Sequence, residues 1–171
     1  MKSYRLCAVM VAICGAVTVR GESPPSKTKS AERVIRKEVI VDAPRERVWK
    51  AWTTEEGIES FFSPGCKIEM KLGGAYELYM GMEKPDESGR RGSEGCKLLS
   101  YIPMEMLSFE WNFPPKVMRL RKENAKTHVV LRFDDAGEGK TRVRFVQAGW
   151  KEGKDWDEGY AYFDKAWDMV L

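Results

Sequence analysis

The chain has little of what common active sites are built from, beginning with a single histidine, His128, in 171 residues. One histidine excludes a histidine-rich zinc site and weakens any Ser-His-Asp mechanism, which also needs a serine in a strained turn. A P-loop, a G-x-S-x-G turn and a dinucleotide-binding glycine pattern are missing as well. We therefore predict no metal and no cofactor, and a function other than catalysis.

Cysteine is scarce too. Cys7 and Cys14 lie in the N-terminal segment, which leaves Cys66 and Cys96 for the rest of the chain. An exported protein can form a disulfide, but nothing in this spacing requires one. The strands predicted around these two cysteines need not be neighbours, so we favour two small buried or half-buried thiols over a bridge.

Without residues 1–21, the chain has no excess of positive or negative charge. The whole chain has 29 lysines and arginines against 26 acidic residues, and Lys2, Arg5 and Arg20 account for the difference. A balanced chain gives no reason to expect nucleic acid or an anionic membrane as a partner.

The N-terminus has the three parts of a secretory signal. Residues 1–5 are basic, residues 6–19 are apolar, and small residues follow, with cleavage expected after Ala16 or Gly21. The apolar stretch is shorter than the roughly 20 residues that cross a bilayer. We predict a signal peptide over residues 1–21, no membrane span in the mature chain, and export to the periplasm or the exterior. The bulky Ile13 before Cys14 argues against a lipoprotein.

Residues 22–33 are rich in proline, serine and lysine without an apolar period, which predicts a disordered tether. The domain then spans residues 34–171. A strand over 34–41 is followed by a helix with Pro44 in its first position. Thr53 and Glu56 fit a capping box for a second, short helix.

After these helices, apolar and polar residues alternate along the chain. This alternation predicts six further strands, over residues 67–72, 75–80, 95–102, 107–113, 127–134 and 141–147. In the strand 107–113, four large apolar side chains share one face, and the last helix has an apolar stripe at helical spacing. These are Leu107, Phe109, Trp111 and Phe113 on the strand, and Tyr160, Phe163, Trp167 and Val170 on the helix. We predict an α+β domain, a bent antiparallel sheet of about seven strands around a long C-terminal helix, with two short helices after the first strand.

Four short motifs carry a family resemblance. They are GGAY at 73–76, the double strand GCKLLSYIP at 95–103 with LSFEW at 107–111, GKTRV at 139–143, and AGW at 148–150. In this order they resemble the heat-shock-protein-90 ATPase activator homologue family, whose C-terminal-type domain belongs to the START-like helix-grip superfamily. The resemblance covers residues 34–171 and implies the helix-grip fold. That superfamily includes lipid binders, cyclases, hydrolases and chaperone partners, so the resemblance implies several functions.

The first functional hypothesis rests on the aromatic residues. Inward-facing rings either fill the core or line a cavity between the sheet and the last helix, and the sequence leaves both open. We predict a non-catalytic domain that binds a small apolar or amphipathic ligand there. The predicted lining residues are Phe61, Phe109, Trp111, Phe163 and Trp167.

Two alternatives remain. The basic segment 116–126, which we expect to be an exposed loop, would let Lys116, Arg119 and Arg121 meet a protein partner, as the family name implies. An enzyme would instead need a carboxylate inside the cavity.

Glu69, Glu77 and Glu110 lie within the predicted strands, but the apolar side of each strand is taken by their neighbours. We therefore predict solvated charges at these three positions. His128 is likewise expected on the face opposite Val129 and Leu131.

Overall fold

The computed structural model describes residues 32–171. The predicted signal peptide, with Cys7 and Cys14, and residues 22–31 of the predicted tether lie outside the described residues. Arg33, the last tether residue, lies with its guanidinium 3.9 Å from the ring centroid of Tyr160 and pairs with Asp157. The contacts of the domain therefore include residues as early as Arg33.

Within residues 32–171 seven strands form, all in antiparallel pairs, as the alternating pattern predicts. They divide into a five-stranded sheet with the order β1-β7-β6-β5-β4 and a separate pair, β2-β3. Their bounds are β1 Ile35–Val41, β2 Cys66–Ile68, β3 Tyr76–Leu78, β4 Leu98–Ile102, β5 Met106–Asn112, β6 Lys126–Asp135 and β7 Thr141–Ala148.

The two sheets meet at one place. Ala75 and Lys97 form an isolated bridge, and the backbone N–H of Tyr76 donates to the carbonyl of Cys96 at 3.0 Å. Two residues further on, the N–H of Leu78 bonds instead to the Ser93 hydroxyl at 2.8 Å. The Ser93 hydroxyl thus takes the place of one backbone acceptor, while the Ser93 N–H still donates to the Leu78 carbonyl at 2.8 Å. The predicted seven-stranded sheet is therefore divided into two sheets joined by a few backbone hydrogen bonds.

The two short helices after β1 are α1, Arg45–Thr53, and α2, Glu55–Glu59. Pro44 is the N-cap of α1 and not its first helical residue. The cap of α2 is Thr54, whose hydroxyl accepts from the N–H of Gly57 at 3.0 Å, and not the predicted Thr53. Thr53 is buried at the end of α1, where its hydroxyl donates to the Trp49 carbonyl at 2.7 Å.

The basic segment is mostly helical, which corrects the expectation of a loop. A 3₁₀ turn, Pro115–Val117, leads into α3, Met118–Lys122, and this segment buries Val117, Leu120 and Arg121. Apolar side chains at positions 117 and 120 lie one turn apart, so they give the segment a buried side.

The last helix, α4, spans Lys154–Ala166 and continues as a 3₁₀ turn, Trp167–Met169. Phe163 and Trp167 are buried, as predicted, and so is Trp156. The four side chains predicted to share a face, Leu107, Phe109 and Trp111 on β5 and Phe113 directly after it, are all buried. The core therefore lies between this face of the sheet and α4, with α1 contributing Val48 and Trp52.

Candidate functional site

Four of the five predicted lining residues pack against one another in the core. The ring centroids of Trp111 and Trp167 are 5.3 Å apart, those of Phe109 and Trp111 5.8 Å, and those of Phe163 and Trp167 6.3 Å. Phe109 also stacks on Tyr76 with centroids 4.1 Å apart. These distances are ordinary aromatic contacts, so the rings fill the space between β5 and α4.

Phe61 lies elsewhere. Its side chain is 43% exposed and packs edge-on against Trp52, with a centroid distance of 5.2 Å. Phe61 lines a hollow of about 370 Å³, whereas Trp111, Phe163 and Trp167 line a smaller one of about 220 Å³. Phe109 lines neither hollow. The five residues are thus split between two hollows and the core, and their role in binding stays a prediction.

The larger hollow, which we call the α1 hollow, lies between α1 and strands β1 and β7. Strand β1 contributes alternate residues, because residues 39 and 41 point to the same face. The apolar lining consists of Val39, Val41, Ala43, Val48, Ala51, Trp52, Phe61, Val143, Val170 and Leu171. A concave apolar surface of this size is within the lower range of small-molecule sites.

Two charged residues, Asp42 and Arg47, complete the lining of the α1 hollow. Both residues are exposed, and they form no ion pair with each other. Within residues 32–171 the Arg47 guanidinium has no ion-pair partner and no hydrogen-bond acceptor. The apolar lining therefore carries one cation and one anion at its edge.

Lys37, on the same face of β1 as Val39, differs from Arg47 because it has carboxylate partners. Its ammonium lies 2.7 Å from a carboxylate oxygen of Asp168 and 3.3 Å from one of Asp164, both on the C-terminal segment. The hydrogen bond to Asp168, more than any other contact, raises the pKa of Lys37. Its charge is thus neutralised, whereas that of Arg47 is not.

The three carboxylates that were predicted within strands make contacts outside the α1 hollow, and Glu69 lies directly after β2. Glu69 accepts from the N–H of Ala75 at 3.1 Å, which with the nearby Lys71 keeps the pKa of Glu69 below its ordinary value. Glu77 accepts from the N–H of Gly95 at 2.9 Å, and Glu110 pairs with Lys126. None of the three lines the α1 hollow.

His128 is half-buried between the buried neighbours Thr127 and Val129, on the face predicted for it. Among residues 32–171 no group of three or more histidine, cysteine or acidic side chains is placed to hold a metal ion. In the same part of the chain, no helix is both long and apolar enough for a membrane crossing.

Both described cysteines are free thiols. Cys66 is half-buried and its thiol donates to the Glu55 carbonyl at 3.6 Å, while Cys96 is fully buried. Burial raises the pKa of Cys66 to about 11 and that of Cys96 to about 12. At neutral pH both thiols are protonated and therefore poor nucleophiles.

Arg121 was predicted to meet a protein partner at the surface, and this prediction is wrong because Arg121 is buried. Its side chain is 2% exposed and pairs with Asp86, whose side chain is 7% exposed. Arg121 also donates to the Phe113 carbonyl at 2.7 Å. A guanidinium held by a buried carboxylate and a backbone oxygen cannot meet a partner at the surface, whereas Lys116 and Arg119 remain exposed.

The α1 hollow differs from the predicted cavity, which was assigned to large aromatic rings. The walls of the hollow are mostly small or β-branched side chains, such as Ala43, Ala51 and Val143. A signal was present: Arg47, Val48, Ala51 and Trp52 share one side of α1, and Ala51 leaves room where a larger residue would fill the gap.

The fold and its apolar hollow define a helix-grip domain. The family model described as "Activator of Hsp90 ATPase homolog 1-like protein" matches residues 42–171. The chain therefore belongs to this family. A comparison with curated proteins found no match.

Solved structures agree on the fold. The protein MLL2253 from Mesorhizobium loti has 20% sequence identity and a TM-score of 0.60, covering 81% of this chain and 90% of that one. PFC0360w, an HSP90 activator from Plasmodium falciparum, has 16% identity and a TM-score of 0.59, with coverage of 81% and 90%. The Aha1 dimer from Colwellia psychrerythraea has 19% identity and a TM-score of 0.55, again covering 81% and 90%.

Proposed function

We propose that this chain is a non-catalytic, exported helix-grip domain that binds a small amphipathic molecule in the α1 hollow. The observation that supports the proposal is the hollow itself, about 370 Å³ lined by ten apolar residues with only Asp42 and Arg47 charged. This volume holds about a dozen groups the size of a water molecule. A ligand of that size would bury its apolar part against β1, β7 and α1 and keep its polar end at the rim.

Binding of a neutral probe tests this proposal without assuming a head group. We expect 1-decanol to bind the wild-type protein, as measured by titration calorimetry and by chemical-shift changes at Val39 and Val143. Ala51→Phe places a ring in the hollow and should abolish binding. Ala161→Phe is the matched control, because Ala161 is exposed on α4 and does not line the hollow.

Thermal unfolding of both variants separates loss of the hollow from loss of the fold. If Ala51→Phe unfolds, Val143→Ile supplies a smaller filling change for the same measurement. No detectable decanol binding to the wild-type protein would refute the proposal, as would equal binding by wild type and a folded Ala51→Phe protein.

Export is the second part of the proposal, and the signal-like pattern of residues 1–21 supports it. Expression of the whole chain in a bacterium, followed by cell fractionation and intact-mass measurement, tests it. We expect an exported product shortened to begin at Val17 or Glu22. A product of full mass that stays inside the cell would contradict export.

Protein interaction is the second candidate function. One observation favours it: Met80, Tyr162 and Met169 border the smaller hollow and are 38%, 41% and 83% exposed. A structural neighbour is described as an HSP90 activator, which suggests a chaperone as the partner to test first.

The test measures the ATPase rate of a purified chaperone of the heat-shock-protein-90 class with and without this protein. Stimulation that is lost in Lys116→Glu/Arg119→Glu would favour interaction through the basic segment. The double variant Arg36→Glu/Arg132→Glu, at exposed positions on β1 and β6, changes the net charge by the same amount and is the charge-matched control. An unchanged ATPase rate would exclude this activity.

A further inference from the structure

We infer that the molecule bound in the α1 hollow is an unbranched monocarboxylate of about ten carbons, and that Arg47 holds its carboxylate. This inference rests on the proposed function, because it names the ligand class of the same site. Two observations support the inference. Arg47 lines the α1 hollow, and its guanidinium has no ion-pair or hydrogen-bond partner within residues 32–171.

Arg47 is positioned to join an apolar tail to a polar head. It lies in the first turn of α1, one turn before Ala51 on the same side of the helix, so its side chain adjoins the apolar wall. An arginine stem packs along apolar surface while the guanidinium stays in water. The charged end of a bound amphiphile would therefore meet the guanidinium at the rim.

A carboxylate suits this guanidinium better than other small heads do. The guanidinium is planar and permanently charged, and its N–H groups match the two oxygens of a carboxylate in a bidentate pair. The contrast with Lys37 matters here, because the charge of Lys37 is already neutralised by Asp164 and Asp168. Arg47 keeps its full charge available to a ligand.

Asp42 is the one other charged residue of the lining, and it gives the inference a second, opposite test. Its carboxylate repels an anionic head at the same rim and would attract a cationic one. If a carboxylate is the natural head, removing the charge of Asp42 must strengthen binding. If an ammonium is the natural head, the same change must weaken it.

The length of the tail follows from the volume. A hollow of about 370 Å³ has room for about a dozen groups of the size of water, and decanoate has twelve heavy atoms, ten carbons and two oxygens. Its tail would reach from the rim at Arg47 along Val41 and Val143. Longer chains would project into solvent and gain little further affinity.

The experiment compares three probes of equal length, decanoate, 1-decanol and decylammonium, by titration calorimetry at low salt and pH 8. We expect wild-type protein to bind decanoate about two- to five-fold more tightly than decanol, the range for an exposed ion pair. Arg47→Gln should remove this preference, so that decanoate and decanol then bind with equal affinity. Asp42→Asn should enhance the preference, and added salt should diminish it.

Arg36→Gln is the matched control, since Arg36 is exposed on the other face of β1 and does not line the hollow. Equal affinity for decanoate and decanol in wild type, or a preference that survives Arg47→Gln, would overturn the inference while leaving the proposed function in place. Tighter binding of decylammonium, lost in Asp42→Asn, would overturn it in favour of a cationic head. If none of the three probes binds, the proposed function fails and this inference fails with it.

Arg47→Lys guards against a purely structural effect. Lysine keeps the charge but not the planar fork, so we expect a reduced preference for decanoate and not its complete loss. A melting temperature close to that of wild type in all four variants establishes that the fold is intact. Should Arg47→Gln unfold, the salt dependence of the wild-type preference for decanoate decides the inference, because a preference that salt leaves unchanged would overturn it.

Discussion

The indole N–H of Trp167 donates to the side-chain carbonyl of Gln147 at 2.7 Å, in a place where Gln147 is fully buried. The amide group of Gln147 in turn donates to the Thr127 hydroxyl at 2.8 Å, and that hydroxyl donates to the Trp111 carbonyl at 3.1 Å. A polar chain thus links the end of the C-terminal helix to β7, β6 and β5. Every member is satisfied, so the chain fixes where the helix lies on the sheet.

Replacing Gln147 by leucine should destabilise the protein by about 1–3 kcal/mol, because it leaves the Trp167 N–H buried without an acceptor. Urea unfolding followed by tryptophan fluorescence measures the change. The double variant Gln147→Leu/Trp167→Phe removes both partners and should cost less than the sum of the two single changes. Strict additivity would show that the two side chains are not coupled.

The buried faces of single strands and helices could be predicted from the sequence, because they follow from local hydrophobic patterns. Alternation placed Phe109 and Trp111 on the buried face of β5, and helical spacing placed Phe163 and Trp167 on the buried side of the last helix. The alternation along the strand and the helical spacing both arise from burial of one face, so they predict which residues form the core. Cap positions were harder, since Thr53 and Thr54 are chemically equivalent candidates and only the geometry at the end of α1 separates them.

Two features could not be predicted because their causes are distant along the chain. The burial of Arg121 depends on Asp86, 35 residues away in a polar loop that has no period of its own. The α1 hollow depends on how α1 lies over β1 and β7, and Ala51 and Val143 both belong to its lining. The loop around Asp86 has no sequence pattern that indicates the pair, and the small Ala51 indicates a hollow only once the position of α1 on the sheet is known.

The buried pair of Arg121 and Asp86 should make part of the stability depend on pH. Burial alone would raise the pKa of Asp86, but hydrogen bonds from Ser88 and Arg121 outweigh it and lower the pKa to about 2. Because this pKa lies below the ordinary value of 3.8, the contribution is present above about pH 4. It is lost as the pH falls from about 4 towards 2.

Asp86→Asn should therefore cost about 3 kcal/mol at pH 7, since it leaves a buried guanidinium without its counter-charge. The free energy of unfolding, measured between pH 7 and pH 2.5, should then fall less steeply with acid than in wild type. Asp134→Asn is the control, because Asp134 pairs with Arg144 at the surface, where both side chains are exposed by 41% or more. Equal costs for the two variants would contradict the special role of the buried pair.

Gly159 lies in the middle of α4, where glycine is normally unfavourable, and it is buried against Phe113. A methyl group at this position would stand 2.6 Å from the nearest ring carbon of Phe113. Gly159→Ala gains about 1 kcal/mol in helix propensity but must shift a buried ring, which costs about 1–3 kcal/mol. We expect net destabilisation in urea unfolding. The double variant Gly159→Ala/Phe113→Leu makes room, so alanine should be less costly, or favourable, in that background.

The two described thiols should be inert in the folded protein. With pKa values of about 11 for Cys66 and about 12 for Cys96, only about one thiol in a thousand or fewer is ionised at pH 8. Iodoacetamide at pH 8, followed by peptide mass mapping, should label neither residue quickly in the native state and both readily in urea. Cys66 should react before Cys96 as the pH is raised, because its pKa is lower and it is only half-buried. Rapid native labelling of Cys66 at pH 8 would mean that the helix α2, whose Glu55 carbonyl accepts the thiol hydrogen, opens away from β2.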